Sequence, residues 1–96
     1  MRNIYKYYLP MGLKPIVQIH AEADILSIQF QEDNITIWAM VNTDNSMVDR
    51  QFYILGTGHG IPEEVEYAVQ HNSFKHISTV QKDGFVWHIF ENTMPF

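Results

Sequence analysis

The chain contains no cysteine. That absence excludes disulfides, thiolate metal sites and cysteine nucleophiles together, and it fits a reducing cytoplasm. Long apolar runs are also missing. The longest, around Ile37 to Val41, falls far short of the roughly 20 residues that a membrane-spanning helix requires. Arg2 and Lys6 are followed by Pro10, Lys14 and Pro15 rather than by an apolar stretch, so neither a signal peptide nor a membrane anchor is expected. Cations are scarce. Six Lys and Arg against eleven Asp and Glu give a formal net charge of −5. Duplex nucleic acid is therefore not an expected partner, because phosphate neutralisation dominates that affinity. There is no internal repeat, low-complexity tract or linker-like shift of composition.

What is present suffices for one core. Hydrophobic residues make up 46% and aromatic residues 14% of 96 positions, which predicts a single globular domain over 1–96 with no need of cross-links. The apolar residues fall in short runs separated by turn residues. Asn3 to Leu9 places Tyr5, Tyr7 and Leu9 on one face and Ile4, Lys6 and Tyr8 on the other. Ile16 to His20 follows, with Val17 and Ile19 sharing a face. Asp24 to Gln31 alternates most clearly, Leu26, Ile28 and Phe30 against Ser27, Gln29 and Gln31, and predicts one buried face. After the Glu32-Asp33-Asn34 turn, Ile35 to Val41 is apolar on both faces and reads as a central strand in a hairpin with its predecessor. Asp49 to Thr57 is a fifth strand, with Phe52 and Ile54 opposite Tyr53 and Leu55.

One helix is predicted near 62–71. Pro62 suits a first helical position, and Glu63, Glu64 and Glu66 match the positive end of the helix dipole. Val65, Ala68 and Val69 form its apolar stripe, and His71-Asn72-Ser73 ends it. His76 to Gln81 and Phe85 to Glu91 close the chain as a hairpin across Asp83-Gly84, a strong turn signal. The fold expected is mainly β, at the margin of α+β. About seven short, mostly antiparallel strands form a sandwich or partly open barrel, with the helix over one end or edge.

Few residues carry chemistry. Gly56-Thr57-Gly58-His59-Gly60 joins a strand to the helix, where glycines can turn backbone N–H groups inward as an anion nest. No Gly-Lys-Ser/Thr follows, however, and Glu63 and Glu64 would repel a phosphate. A conformational connection explains the glycines as well as a ligand site does. The five histidines lack the i, i+2 or i, i+4 spacing of metal ligands, so no metal or cofactor is expected. Without a Gly-x-Ser-x-Gly elbow, a nucleophilic enzyme has little support. Trp38, Trp87, Tyr53, Phe85 and Phe90 are assigned to the core. Arg2, Lys6 and Lys14 interleave Tyr5, Tyr7 and Tyr8, a pattern that can stack single-stranded bases, although strand preference also explains the tyrosines.

The order of motifs resembles a family of small proteins encoded by bacteriophages and prophages, a domain of unknown function. The resemblance rests on Ile37-Trp38-Ala39-Met40-Val41, on Gly56-Thr57-Gly58-His59, and on Val86-Trp87-His88-Ile89-Phe90-Glu91. Ile4-Tyr5-Lys6-Tyr7, Ala23-Asp24-Ile25-Leu26-Ser27 and Phe52-Tyr53-Ile54-Leu55 add to it. Glu63 to Lys75 is longer than the link expected there, so the helix carries nothing over. The family supplies no catalytic residues. It implies an accessory phage protein in the host cytoplasm, which we expect to be a non-enzymatic binder that counters host defence. Such a protein sequesters a small nucleotide-like signal, with His59, Thr57, Gly58, Trp38, Lys6 and Tyr7 as candidate contacts, in a chain that can form a homo-oligomer. Two alternatives stand beside it, an inhibitor that binds a host protein and a small hydrolase using histidines.

Overall fold

The computed structural model describes residues 1–94. In chain order the elements are β1 (Arg2–Tyr8), β2 (Ile16–His20), β3 (Asp24–Gln31), β4 (Asn34–Asn42), β5 (Met47–Gly56), α1 (Glu63–Gln70), β6 (Phe74–Lys82) and β7 (Phe85–Asn92). Two antiparallel sheets result, one in the order β1-β4-β3 and the other β2-β5-β7-β6. The mainly β expectation holds, as a sandwich and not a closed barrel.

The main core lies between the sheets. Ile28, Ile37, Ala39 and Val41 from the first sheet meet Ile19, Phe52, Ile54 and Ile89 from the second. Burial of such side chains contributes about 1.5–3 kcal/mol each. β5 is buried on both faces, because Tyr53 and Leu55 point away from that core and pack with Val65 and Ala68 of α1. The helix thus lies on the outer face of the four-stranded sheet and not over an end or edge. Half-buried apolar residues on both faces of a central strand require a third layer, and α1 provides it.

Local signals survive well. Asp83 and Gly84 both adopt positive φ (53° and 83°), as a two-residue type I′ hairpin demands. Asn72 (φ 55°) ends α1, while the Ser73 N–H donates to the Ala68 carbonyl at 3.0 Å and the Asn72 N–H to that of Val69 at 3.4 Å. That is a Schellman cap with asparagine in the left-handed position. Pro62 stands one place earlier than expected. It is extended (ψ 148°) and precedes the helix instead of opening it.

Expectations of burial fail at Leu26 and Val69. Leu26 is 50% exposed, because a β-bulge between Ile25 and Ser27 shifts the register and hands the inward position to Ile25. Val69 is also exposed, since α1 buries only the side holding Val65 and Ala68. The sandwich is tied shut on one side. There β3 and β6 abut, and the Ser78 hydroxyl donates to the Ile28 carbonyl at 2.8 Å. Lys82 also bonds the Glu32 carbonyl and the Asp33 carboxylate, joining the two hairpin turns. That hydrogen bond and the lysine charge hold Asp33 below its ordinary carboxyl range. At the opposite side β1 and β2 are free sheet edges.

Candidate functional site

The predicted contact residues separate into two places. Lys6 and Trp38 are cross-strand partners on the outer face of the three-stranded sheet. There Lys6 bonds the Gln31 side chain at 2.8 Å and lies over the Tyr8 ring at 5.5 Å. Trp38 is therefore a half-exposed outer-face residue and not part of the core. Tyr7 points the other way and packs against the core, with its hydroxyl buried and, among the described residues, without a hydrogen-bond partner. Burial, and secondarily Tyr5, raises its phenol above the ordinary value. Such a hydroxyl costs stability without contacting anything. Tyr7→Phe should leave the unfolding free energy unchanged or raise it by up to about 1 kcal/mol, as read from urea denaturation.

Thr57, Gly58 and His59 stand elsewhere, in the turn leaving β5. The His59 N–H closes this turn on the Gly56 carbonyl at 3.3 Å, and Gly58 takes φ 85°. Gly56 is needed for space. A Cβ there would lie 2.8 Å from His59 Nδ1 and 3.1 Å from the Trp87 ring. The His59 ring thus folds back over Gly56 and meets Trp87 edge-on, with centroids 6.5 Å apart.

Trp87 and Phe85 alternate on one face of β7, and their rings lie near-parallel at 15° with centroids 6.2 Å apart. Phe85, expected in the core, is 63% exposed, because it belongs to the hairpin end beyond the opposite sheet's cover. Together Gly56, Thr57, His59, Phe85, Val86 and Trp87 line an open depression of about 300 Å³.

Thr57 also begins a polar chain. Its Oγ1 is 2.7 Å from His88 Nε2, His88 Nδ1 is 3.1 Å from Thr79 Oγ1, and Thr79 Oγ1 is 3.0 Å from His76 Nε2. Three of these four residues escaped sequence reasoning, yet a signal was available. A two-residue Asp83-Gly84 loop sets Lys82 opposite Phe85 and hence Thr79 opposite His88. Only the bulge at Ile77, which brings His76 opposite Phe90, has no local cue.

The depression joins a stacking wall to the His59 imidazole, while the Thr57 hydroxyl is taken up by His88 on the other face of β7. Among the described residues no lysine or arginine lines it, and Glu64 of the nearby helix start is already paired with Lys14 at 3.2 Å. It suits a planar, uncharged ring better than a phosphate. Among the described residues no three His, Asp or Glu side chains gather as a metal set. No helix among those residues is long and apolar enough to cross a membrane.

A family model described as a domain of unknown function (DUF7352) matches residues 1–95, so the chain belongs to that family. No curated protein and no solved structure matches it.

Proposed function

We propose that this member of a family of unknown function is a non-enzymatic binder that takes the planar ring of a small nucleotide-like molecule against Phe85 and Trp87. The observation that carries the reading is the near-parallel pair formed by the exposed Phe85 and the half-buried, core-anchored Trp87 beside His59. A large apolar ring held in water invites a flat partner, and base–aromatic stacking is worth about 1–3 kcal/mol. Phosphates of such a ligand would point away from the acidic helix start. The setting we propose is a phage-encoded protein that sequesters a host defence signal in the cytoplasm, supported by the resemblance of the strand and turn motifs quoted above.

A thermal-shift screen with nucleosides, cyclic dinucleotides and ADP-ribose derivatives tests this. A true ligand at a hundred times its Kd should stabilise the fold by about 2.7 kcal/mol. Phe85→Ala should weaken binding about tenfold or more while leaving the melting temperature of the free protein nearly unchanged. Gly56→Ala, which displaces the His59 ring, should weaken it as well. Absence of any shift, together with a host protein recovered by pull-down, would replace this reading with the inhibitor alternative.

One observation favours the hydrolase reading. With the His88 proton on Nδ1, the Thr57 hydroxyl donates to Nε2 across 2.7 Å and Nδ1–H donates to Thr79, an arrangement of nucleophile, base and orienting group. Chemically altered nucleotide, formed by the native chain and not by Thr57→Ala, would establish it.

A further inference from the structure

We infer that β1 is a self-association edge, pairing antiparallel with β1 of a second copy about a two-fold axis at Tyr5 and joining two three-stranded sheets into one of six strands. β1 is the outer strand of its sheet, and it exposes Ile4 (55%), Tyr5 (39%) and Tyr8 (55%). Tyr5 faces inward, its ring tilted against His20 at 6.2 Å, yet stays open to solvent because nothing closes the sandwich on this side.

The backbone specifies how such a pair would form. The Leu9 N–H donates to the Ile35 carbonyl of β4, so by alternation Asn3, Tyr5 and Tyr7 turn their backbone groups inward to the sheet. Arg2, Ile4, Lys6 and Tyr8 turn theirs to the free edge. Consistent with this, the Ile4 N–H donates to the Asn3 side chain, at 2.8 Å. In a pair, the Lys6 carbonyl of the second copy would take its place.

Charge then selects the register. Full overlap of Arg2–Tyr8 with itself sets Arg2 opposite Tyr8, Asn3 opposite Tyr7, Ile4 opposite Lys6, and Tyr5 opposite its own copy. No like charges meet, and each cation faces an aromatic or aliphatic side chain. Moving the axis to Ile4 would put Arg2 against Lys6, and moving it to Lys6 would put that lysine against itself. Of the registers that overlap five or more residues of β1, only the fully overlapped one escapes both. A lysine on an edge strand ordinarily guards it. Here Lys6 is drawn back across the outer face to Gln31.

Sedimentation velocity and light scattering on the native chain, up to millimolar concentration, should show a concentration-dependent dimer. Tyr8→Lys sets a lysine against Arg2 twice per dimer and should raise the dimer Kd about tenfold. Adding Arg2→Glu to that variant should restore it, which holds only in this register. Circular dichroism confirms that the variants fold. Because the chain has no cysteine, Tyr5→Cys supplies a single thiol, and the two copies of it would face each other across a non-hydrogen-bonded pair. The Cα separation there, about 4.5 Å, lies within disulfide range. Mild oxidation should cross-link it much faster than Tyr8→Cys. A monomer throughout the concentration range would overturn the inference, as would a dimer indifferent to Tyr8→Lys or cross-linked equally through both cysteines.

Discussion

Glu91→Ala should lower the unfolding free energy by about 3–5 kcal/mol in urea or guanidinium denaturation. Glu91 is only 8% exposed and points into the sandwich. Its two carboxylate oxygens accept from Arg50 Nε at 2.6 Å and Nη2 at 2.7 Å, while Nη1 donates to the Ala23 carbonyl at 2.7 Å. Each nitrogen of the guanidinium thereby donates once, and the turn before β3 is pinned to β5. Removing the carboxylate strands a largely buried cation without its counter-charge, and desolvation sets the size of the loss. The pair as a whole is worth much less. Arg50→Met combined with Glu91→Leu removes both charges and both desolvation costs, so the double variant should cost far less than Glu91→Ala alone. A single-variant loss below about 1 kcal/mol would mean that the pair behaves as an exposed one.

Phe52→Ala should cost about 3–5 kcal/mol as well, for a different reason. Phe52 is the largest fully buried side chain and sits between the sheets. Its loss removes transfer free energy and leaves a cavity that two hydrogen-bonded sheets cannot collapse into. Hydrogen exchange should accelerate across both sheets. Val65→Ala offers the contrast. It loosens only the cluster that holds α1, and an eight-residue helix has little stability of its own, so faster exchange should stay confined to 63–70. Phe52 and Glu91 are cross-strand partners, so their substitutions should not combine additively.

How far the sequence reaches is plain from particular residues. The Asp83-Gly84 turn, the Asn72 helix end and the double-faced burial of β5 depend on φ preferences and periodicity within a few positions. Each was legible for that reason. Leu26 was misread because a bulge inserts one residue into a strand whose alternation looks perfect, and only the pairing with β4 reveals the shift. Phe85 was misread because apolarity marks what can be buried, not what has a partner opposite it. The site was legible only in part. Thr57, Gly58 and His59 were singled out by composition, but their aromatic wall and the His88–Thr79 chain come from strands more than twenty residues downstream.

By itself the sequence determined a mainly β fold, the position of each strand and the helix, and the turns that separate them. It also excluded every chemistry that needs a thiol. The tertiary structure alone decided that Arg50 meets Glu91, that α1 covers a sheet face, and that Lys6 and Trp38 stand on a different sheet from the strand that leads into His59. Those outcomes depend on contacts between residues distant along the chain. Strand order, sheet stacking and the two bulges set them, and local preferences along the chain do not encode those arrangements.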